Sequence, residues 1–286
     1  MPIDPERVLA AAIPDTTHTW DADDVILYHL GIGAGVPPTD ERELSYVYEA
    51  NLEVLPSFAT IPMFPTMLNV LDIDGLDINP VMILHGEQSI ELNGPIPTAS
   101  SVTNRARVTE VHDKGKGALV VMEIVSHDDA DKPLFTNTVS IFIRGEGGFG
   151  GVSGPEPHNI PADRDPDHVA ESATLPQQAL LYRLSGDKNP LHADPAVAAF
   201  GGFDRPILHG LCSYGIVCKA VVDSVLGGDA GGVAFFRARF SGVVFPGETV
   251  VTRMWESDGG WVIDARTAER DSPVISNAWI GAETSP

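Results

Sequence analysis

The stretch YRLSGDKNPLH, Tyr182 to His192, sets a carboxylate and an imidazole five residues apart. Asp187 and His192 are both proton-transfer groups. Gly186, Asn189 and Pro190 around them forbid a long helix and hold the pair on a tight turn. Two such groups on one rigid turn make half of a general acid–base site. The same residues also suit an ordinary surface loop with a helix cap, so the elements on either side have to decide.

Those elements fall into two halves. Between Gly147 and Asp167 the chain reads GGFGGVSGPEPHNIPADRDPD, a run of Gly, Pro and Asp that marks a linker near the middle of the 286 residues. It divides the chain into 1–150, a linker at 151–166, and 167–286. In the first half VMILHGEQSIEL, SVTNRARVTEV, GALVVMEIVSH and LFTNTVSIFIR read as strands, with turns at DKGKG and DDADK. In the second, VAFFRARFSGVVF, ETVVTRMWES, GWVIDARTAE and PVISNAWIGA do the same, with turns at SDGG and ERDSP. Alternating apolar residues between Gly and Asp clusters are the pattern of antiparallel hairpins.

Each strand set follows one apolar helical segment. His209 to Leu226 is apolar almost all round, as a buried helix must be, and stops at Gly227-Gly228. Its first-half counterpart, FPTMLNVLDI, follows several prolines and is shorter. The echo reaches the opening motif: Tyr28-His29-Leu30 in YHLGIGAG parallels Tyr182-Arg183-Leu184 about 150 residues later. Gly33 stands where the second copy has Asp187, and no histidine follows five residues on. One copy is equipped and the other stripped, which a generic loop gives no reason for. GIGAG itself is no dinucleotide fingerprint, since no β-branched strand precedes it and Pro37-Pro38 follow where a helix should open.

Composition narrows the classes. With 43% hydrophobic residues and a mean hydropathy near zero, the chain suits a soluble globular protein with a real core. A net charge of −22 repels phosphate backbones, so nucleic acid is not an expected partner. Cys212 and Cys218 lie in an apolar run and read as reduced core residues. No long apolar stretch suggests a membrane span or a secretory leader, and no metal-ligand spacing stands out; a cytoplasmic location is the expectation.

YRLSGDKNPLHADPAVAAFGGFDRPILHGLCSYG resembles the signature of the type-2, (R)-specific enoyl-CoA hydratases of the MaoC-like family. HGEQSIEL, the DKG turn, GGFGG and ARF are similar to the two-domain form found in multifunctional β-oxidation enzymes. The resemblance implies an α+β double hot-dog fold, two tandem repeats each with a central helix wrapped by an antiparallel sheet. It implies addition of water to a trans-2-enoyl-CoA, in β-oxidation of long or bulky (fatty or steroid side-chain) groups. The alternatives are a 3-hydroxyacyl thioester dehydratase of fatty-acid elongation, a hot-dog thioesterase, or a non-catalytic acyl-CoA-binding subunit. It also implies a homodimer, with no cofactor beyond the CoA of the substrate.

Hydration needs an activated water, a proton for C2 and stabilisation of enolate-like charge. By resemblance Asp187 and His192 are the catalytic pair, gripping one water, with Asn189 in support. Which of the two takes the proton stays open. Gly210 opens the buried helix, where free amides and the helix dipole favour an oxyanion, and by resemblance its N–H meets the thioester. His85 and Gly86 are implied to contact substrate, Lys114 to bind CoA and Phe240 to line the pocket. Lys116, Lys188, Arg205, Arg237 and Arg239 would help offset phosphate repulsion. His209 reads as a structural residue at the helix start. Because Pro56, Pro62 and Pro65 interrupt the first-half helix, Phe58, Ile61, Met63, Phe64 and Met67 are expected to line the acyl pocket, Met63 and Phe64 above all.

Overall fold

Aspartate and glycine at left-handed positions set the hairpins. Gly115 (φ +72°) turns β3 (Ser100–Asp113) into β4 (Gly117–His127), and Asp131 (φ +62°) turns β4 into β5 (Pro133–Arg144). In the second half Gly259 (φ +74°) joins β8 (Thr249–Ser257) to β9 (Gly260–Thr267), and Asp271 (φ +49°) joins β9 to β10 (Pro273–Gly281). Asp and Gly tolerate this conformation where bulkier residues are strained. The computed structural model describes residues 3–76, 82–154, 156, 159, 161 and 163–282. Val81, where the sequence begins its first strand, and linker positions 155, 157, 158, 160 and 162 lie outside that set.

The ten strands among the described residues form one antiparallel sheet. Its order is β1-β3-β4-β5-β2-β7-β10-β9-β8-β6, with β1 (Thr16–Trp20), β2 (Ile83–Leu92), β6 (His168–Ala173) and β7 (Phe235–Phe240). Read inward from either edge, the two halves have the same order and meet at β2 and β7. Their seam pairs Glu87 with Arg239 and Ser89 with Arg237 in register. Glu87 bonds Arg239 at 2.6 Å and Arg237 at 3.1 Å. The edge strands β1 and β6 are short and lack strong alternation, so the sequence reading passed over both.

Among the described residues, seven α-helices accompany the sheet: α1 (Pro5–Ala10), α2 (Ala22–Gly31), α3 (Glu41–Val47), α4 (Phe64–Leu68), α5 (Gln178–Tyr182), α6 (Pro195–Phe200) and α7 (Gly210–Val225). Eleven of the sixteen residues of α7 are buried, and Gly227 follows at φ +62°. The first half has no such helix. It runs as 3₁₀ turns at Pro56–Thr60 and Asn69–Asp72 around the five-residue α4, because proline removes hydrogen-bond donors along the segment. α2 ends at Gly31, so GIGAG closes a helix; its start at Asp21 carries a capping box with Asp24 that the sequence reading missed. Among the described residues no helix is long and apolar enough to cross a membrane.

The repeats interlock around their equivalent tyrosines. Tyr28 and Tyr182 are both buried, with ring centroids 6.0 Å apart. Gln178 Nε2 donates to the Gly31 carbonyl at 2.6 Å. α7 passes beneath this crossing at Gly215. A Cβ there would stand 2.7 Å from both Ile32 Cγ2 and Tyr28 Oη.

Two effects therefore oppose each other in Gly215→Ala. Alanine favours the helix by about 1 kcal/mol, but overpacking a buried crossing costs about 1–3 kcal/mol. Both neighbours are held in the core, so the steric term should dominate. The variant should unfold at lower urea concentration than wild type; an equal or higher midpoint would show that the crossing relaxes freely.

Candidate active site

The segment Gly186–His192 is built by two successive side-chain caps. The chain leaves a 3₁₀ turn at Arg183–Ser185 through Gly186, whose φ of +136° suits only glycine. Asp187 Oδ1 then accepts the Asn189 N–H at 3.0 Å, and Asn189 Oδ1 accepts the Leu191 N–H at 3.0 Å. Pro190 opens the second 3₁₀ turn, Pro190–His192, in the position where a missing N–H does no harm. Asn189 thus fixes the turn that carries His192, and one oxygen of Asp187 fixes Asn189.

The other oxygen is left for chemistry. Asp187 Oδ2 lies 4.0 Å from His192 Nε2. His192 Nδ1 is 2.9 Å from the Ile207 carbonyl, which can only accept, so Nδ1 carries the hydrogen. Burial lowers the pKa of His192 and favours the neutral ring, whose Nε2 is then a free acceptor. A carboxylate oxygen and an imidazole nitrogen at this spacing can take both hydrogens of one water. That leaves the lone pairs of the water facing outward.

α7 begins beside the pair. Its N-cap, His209, makes no capping bond, and neither the Gly210 nor the Leu211 amide has an acceptor among the described residues. Free amides at the start of a sixteen-residue helix favour negative charge. The Phe240 ring lies over Gly210, and a Cβ on Gly210 would come within 3.3 Å of it. Phe240 in turn meets the His85 ring edge-to-face at 4.9 Å. Gly86 occupies a β-bulge, the extra residue between the pairs His85–Ile141 and Glu87–Ser140. Burial pushes His85 down to about 4, and its Nε2 is enclosed with no partner.

These residues share one cavity of about 1130 Å³. Asp187, Asn189, His192, Gly210, His85, Gly86, Lys114, Phe240 and Phe64 all line it. Lys114 sits on the β3–β4 turn, which Asp113 ties to the glycine loop by accepting from Gly115, Gly148 and Gly150 at 2.7–2.9 Å. Arg144, Arg237 and Arg239 add cationic lining; Arg205 lies over the Phe245 ring outside it. The sequence reading missed Leu68, Leu71, Leu191 and Leu211 in the apolar wall. Leu191, inside the motif, was the one with a readable signal.

Met63 is a correction. It is fully buried in the core and does not line the cavity, and the same holds for Phe58 and Ile61. The 3₁₀ turn at Pro56–Thr60 packs against α7, and Phe58 meets Trp20 and Tyr28 edge-on. A shortened helix still fills the core with its first turns; only its later part, from Phe64 and Met67 to Leu71, faces the cavity.

Asp187, His192 and His209 offer ligand atoms within 4.8 Å of one another. The two imidazoles, however, are stacked at 3.7 Å and 28°, which sends their in-plane lone pairs along separate lines. Such an arrangement does not converge on one ion.

A double repeat whose antiparallel sheet packs on one long buried helix, with a carboxylate and an imidazole beside the free amides of the helix start, is the architecture of a hot-dog enzyme of hydration or dehydration type. The comparisons agree. Residues 18–145 match the MFE-2 hydratase 2 N-terminal domain, and residues 158–278 match the MaoC like domain. The chain is 43% identical over 277 residues to the enoyl-CoA hydratase ChsH3 of Mycobacterium tuberculosis, covering 96% of this chain and 97% of that one. It is 39% identical to the peroxisomal enoyl-CoA hydratase 2 of Arabidopsis thaliana, covering 95% and 93%. The crystal structure of a MaoC-like dehydratase from Phytophthora capsici superposes with a TM-score of 0.86 at 33% identity, covering 98% and 99%. The chain belongs to the MaoC-like, enoyl-CoA hydratase 2 family.

Buried neutral histidines link stability to pH. Burial lowers His29 to about 4 and His209 to about 2, against about 6.5 in an unfolded chain. Above pH 6.5 neither state is protonated and the contribution is whole. Below it the unfolded chain binds protons first, so each histidine removes up to about 1.4 kcal/mol of stability per pH unit until its folded value is reached. The urea midpoint should fall between pH 7 and pH 5. A flat midpoint over that range would mean that both rings can charge in place.

Proposed function

We propose that the protein is an (R)-specific 2-enoyl-CoA hydratase, adding water to trans-2-enoyl-CoA to give (3R)-3-hydroxyacyl-CoA during β-oxidation of long or bulky acyl groups. The observation that carries the reading is the 4.0 Å gap between Asp187 Oδ2 and His192 Nε2, opening on the same cavity as Gly210. A water held in that gap attacks C3 as one of its protons passes to the pair. The C2–C3 π electrons move toward the thioester oxygen, where the Gly210 amide offsets the growing charge. Collapse of the enolate draws that proton from the pair to C2. One water is added, nothing is oxidised or reduced, and the pair returns to its starting state.

The remaining lining supports the same reading. Lys114 and Arg144 suit the phosphates of CoA in a chain that is otherwise strongly acidic. His85, Gly86 and Phe240 flank the thioester end. Ligand pockets of ordinary size are about 300–1,000 Å³, so 1130 Å³ leaves room for a large acyl group as well as pantetheine. Its apolar wall includes Leu68 and Leu71, both more than a third exposed, so that end opens toward solvent. In this reading the working unit is a homodimer, as the resemblance implies.

The direct assay is loss of enoyl absorbance from trans-2-enoyl-CoAs, with the chirality of the product. Asp187→Asn keeps the oxygen that caps Asn189, and His192→Ala leaves the turn's own bonds intact. Each should cost at least about 10²–10⁴-fold in kcat, the usual worth of an acid–base group. Because the two act on one water, the double variant should be little worse than either single one. Retention of a tenth of the activity by either would remove that residue from the chemistry, and multiplicative losses would assign them to separate steps.

Chain-size selection follows from the corrected wall. Phe64→Ala should change the ratio of kcat/KM between bulky and four-carbon enoyl-CoAs, by about 1–3 kcal/mol of discrimination. Met63→Ala should leave the ratio alone and instead lower stability by about 2–5 kcal/mol, as a core truncation. The reverse pattern would put the acyl group on the other side of the 3₁₀ segment.

A further inference from the structure

We infer that His209 is a positioning residue for the hydration: it pins the Asp187 backbone, backs the His192 ring, and so sets the gap that the two share. This rests on the hydratase reading above and gives the residue at the start of α7 a role beyond structure.

Three contacts carry the inference. The His209 ring is stacked on His192, with centroids 3.7 Å apart and planes 28° apart. Its Nε2 lies 3.2 Å from the Asp187 carbonyl oxygen, which only accepts, so Nε2 holds a hydrogen and donates it. The Tyr182 ring, also buried, lies tilted against the His209 ring with centroids 4.9 Å apart. One side chain therefore touches both members of the pair, one through a face and the other through a bond. Its only hydrogen bond among the described residues goes to the Asp187 backbone, so it acts through the pair's placement.

The position of His209 is unusual for a helix start. An N-cap side chain ordinarily accepts an amide of the first turn, and Ser, Thr, Asp or Asn serve best. His209 makes no such bond. Its Nδ1 is instead enclosed with no partner, a cost that a purely structural choice would avoid. Turning the ring toward Asp187 leaves the Gly210 and Leu211 amides open while tying the start of α7 to the catalytic turn. The three parts of the site are then referred to a single ring. Asp187 and Arg183 are the charged groups that face the two imidazoles, with Tyr182 as the neighbouring phenol.

Two substitutions in the full chain separate the contacts. His209→Phe keeps a ring against His192 but loses the bond to the Asp187 carbonyl. His209→Gln keeps a donor but exposes the face of His192. Displacements well under 1 Å matter at such a site, and about 1 Å costs on the order of 10²-fold. Each variant should lose about 10–100-fold in kcat with KM within about twofold. The acid limb of kcat/KM should stay in place for Phe and move up toward the ordinary imidazole value for Gln, because solvent then reaches His192. Wild-type kcat per folded molecule in either variant, or an unmoved limb in the Gln variant, overturns the inference. So does failure of both to fold, which would make His209 structural; if one alone fails, the other decides by its own expected result. Absence of hydration by the wild-type chain would instead sink the hydratase reading itself.

Discussion

The structure depends on the burial of α7 along nearly its whole surface. A helix apolar on every side is stable in water only if it is enclosed, and each large side chain so enclosed contributes about 1.5–3 kcal/mol. Its own repeat supplies one wall, the sheet from β6 to β10. The other repeat supplies the rest through the Pro56–Thr60 turn, α2 and α3. Neither half encloses α7 alone, so the halves must join, and they join through β2 and β7. The far end of the helix is held in the same way. Tyr46 of α3 donates to Asp223 of α7 at 2.6 Å, and Lys219 of α7 bridges Glu43 of α3 at 2.6 Å and Asp223 of its own helix at 2.8 Å. With its body and C-terminal turn fixed by both repeats, the uncapped start of α7 is held still without a cap of its own.

The legible and illegible parts of the molecule divide along this line. Local patterns read well. The Asp and Gly turns gave the hairpins, the apolar run from His209 to Leu226 gave α7, and D-x-N-P-L-H gave a turn whose caps are visible in the structure. Features set by distant packing did not read. β1 and β6 are strands because a neighbour offers an edge, not because their own residues alternate strongly. Met63 and Phe64 are adjacent and similar in character, yet one faces the core and the other the cavity; which is which depends on how the 3₁₀ turn meets α7. His209 looked like a helix start because that is its place in the chain, and its work lies across a stack with a residue seventeen positions earlier.

Electrostatics follow the same division of labour. A chain of net charge −22 repels an anionic thioester at long range, so attraction has to be local. The cavity carries Lys114 and Arg144, with Arg237 and Arg239 both held by Glu87 at the seam. The paired arginines serve the junction of the two repeats, which leaves Lys114 and Arg144 as the cations with most to offer a phosphate. Lys114 owes its place to Asp113, whose carboxylate accepts three glycine amides and whose own pKa is lowered by those bonds. The turn and the glycine loop are thus one rigid piece.

Under the proposed function, a first repeat without the acid–imidazole pair has a physical reason. An equipped copy needs a straight helix whose first amides point into the cavity, and a turn before it carrying acid and imidazole. A second full-length helix packed on the same sheet would occupy the volume proposed here for the acyl group. Prolines at 56, 62 and 65 shorten that helix, and the space they release is walled by Phe64, Met67, Leu68 and Leu71. With no long helix to present amides, a carboxylate at Gly33 would have no oxyanion partner to work with, and the corresponding histidine would have no water to share. His29, next to the parallel tyrosine, is spent on structure instead: its Nδ1 meets the Tyr46 carbonyl at 2.6 Å and its Nε2 accepts the Leu55 N–H at 3.2 Å. In the proposed reading, room for a large substrate and a second equipped site would compete for the same volume.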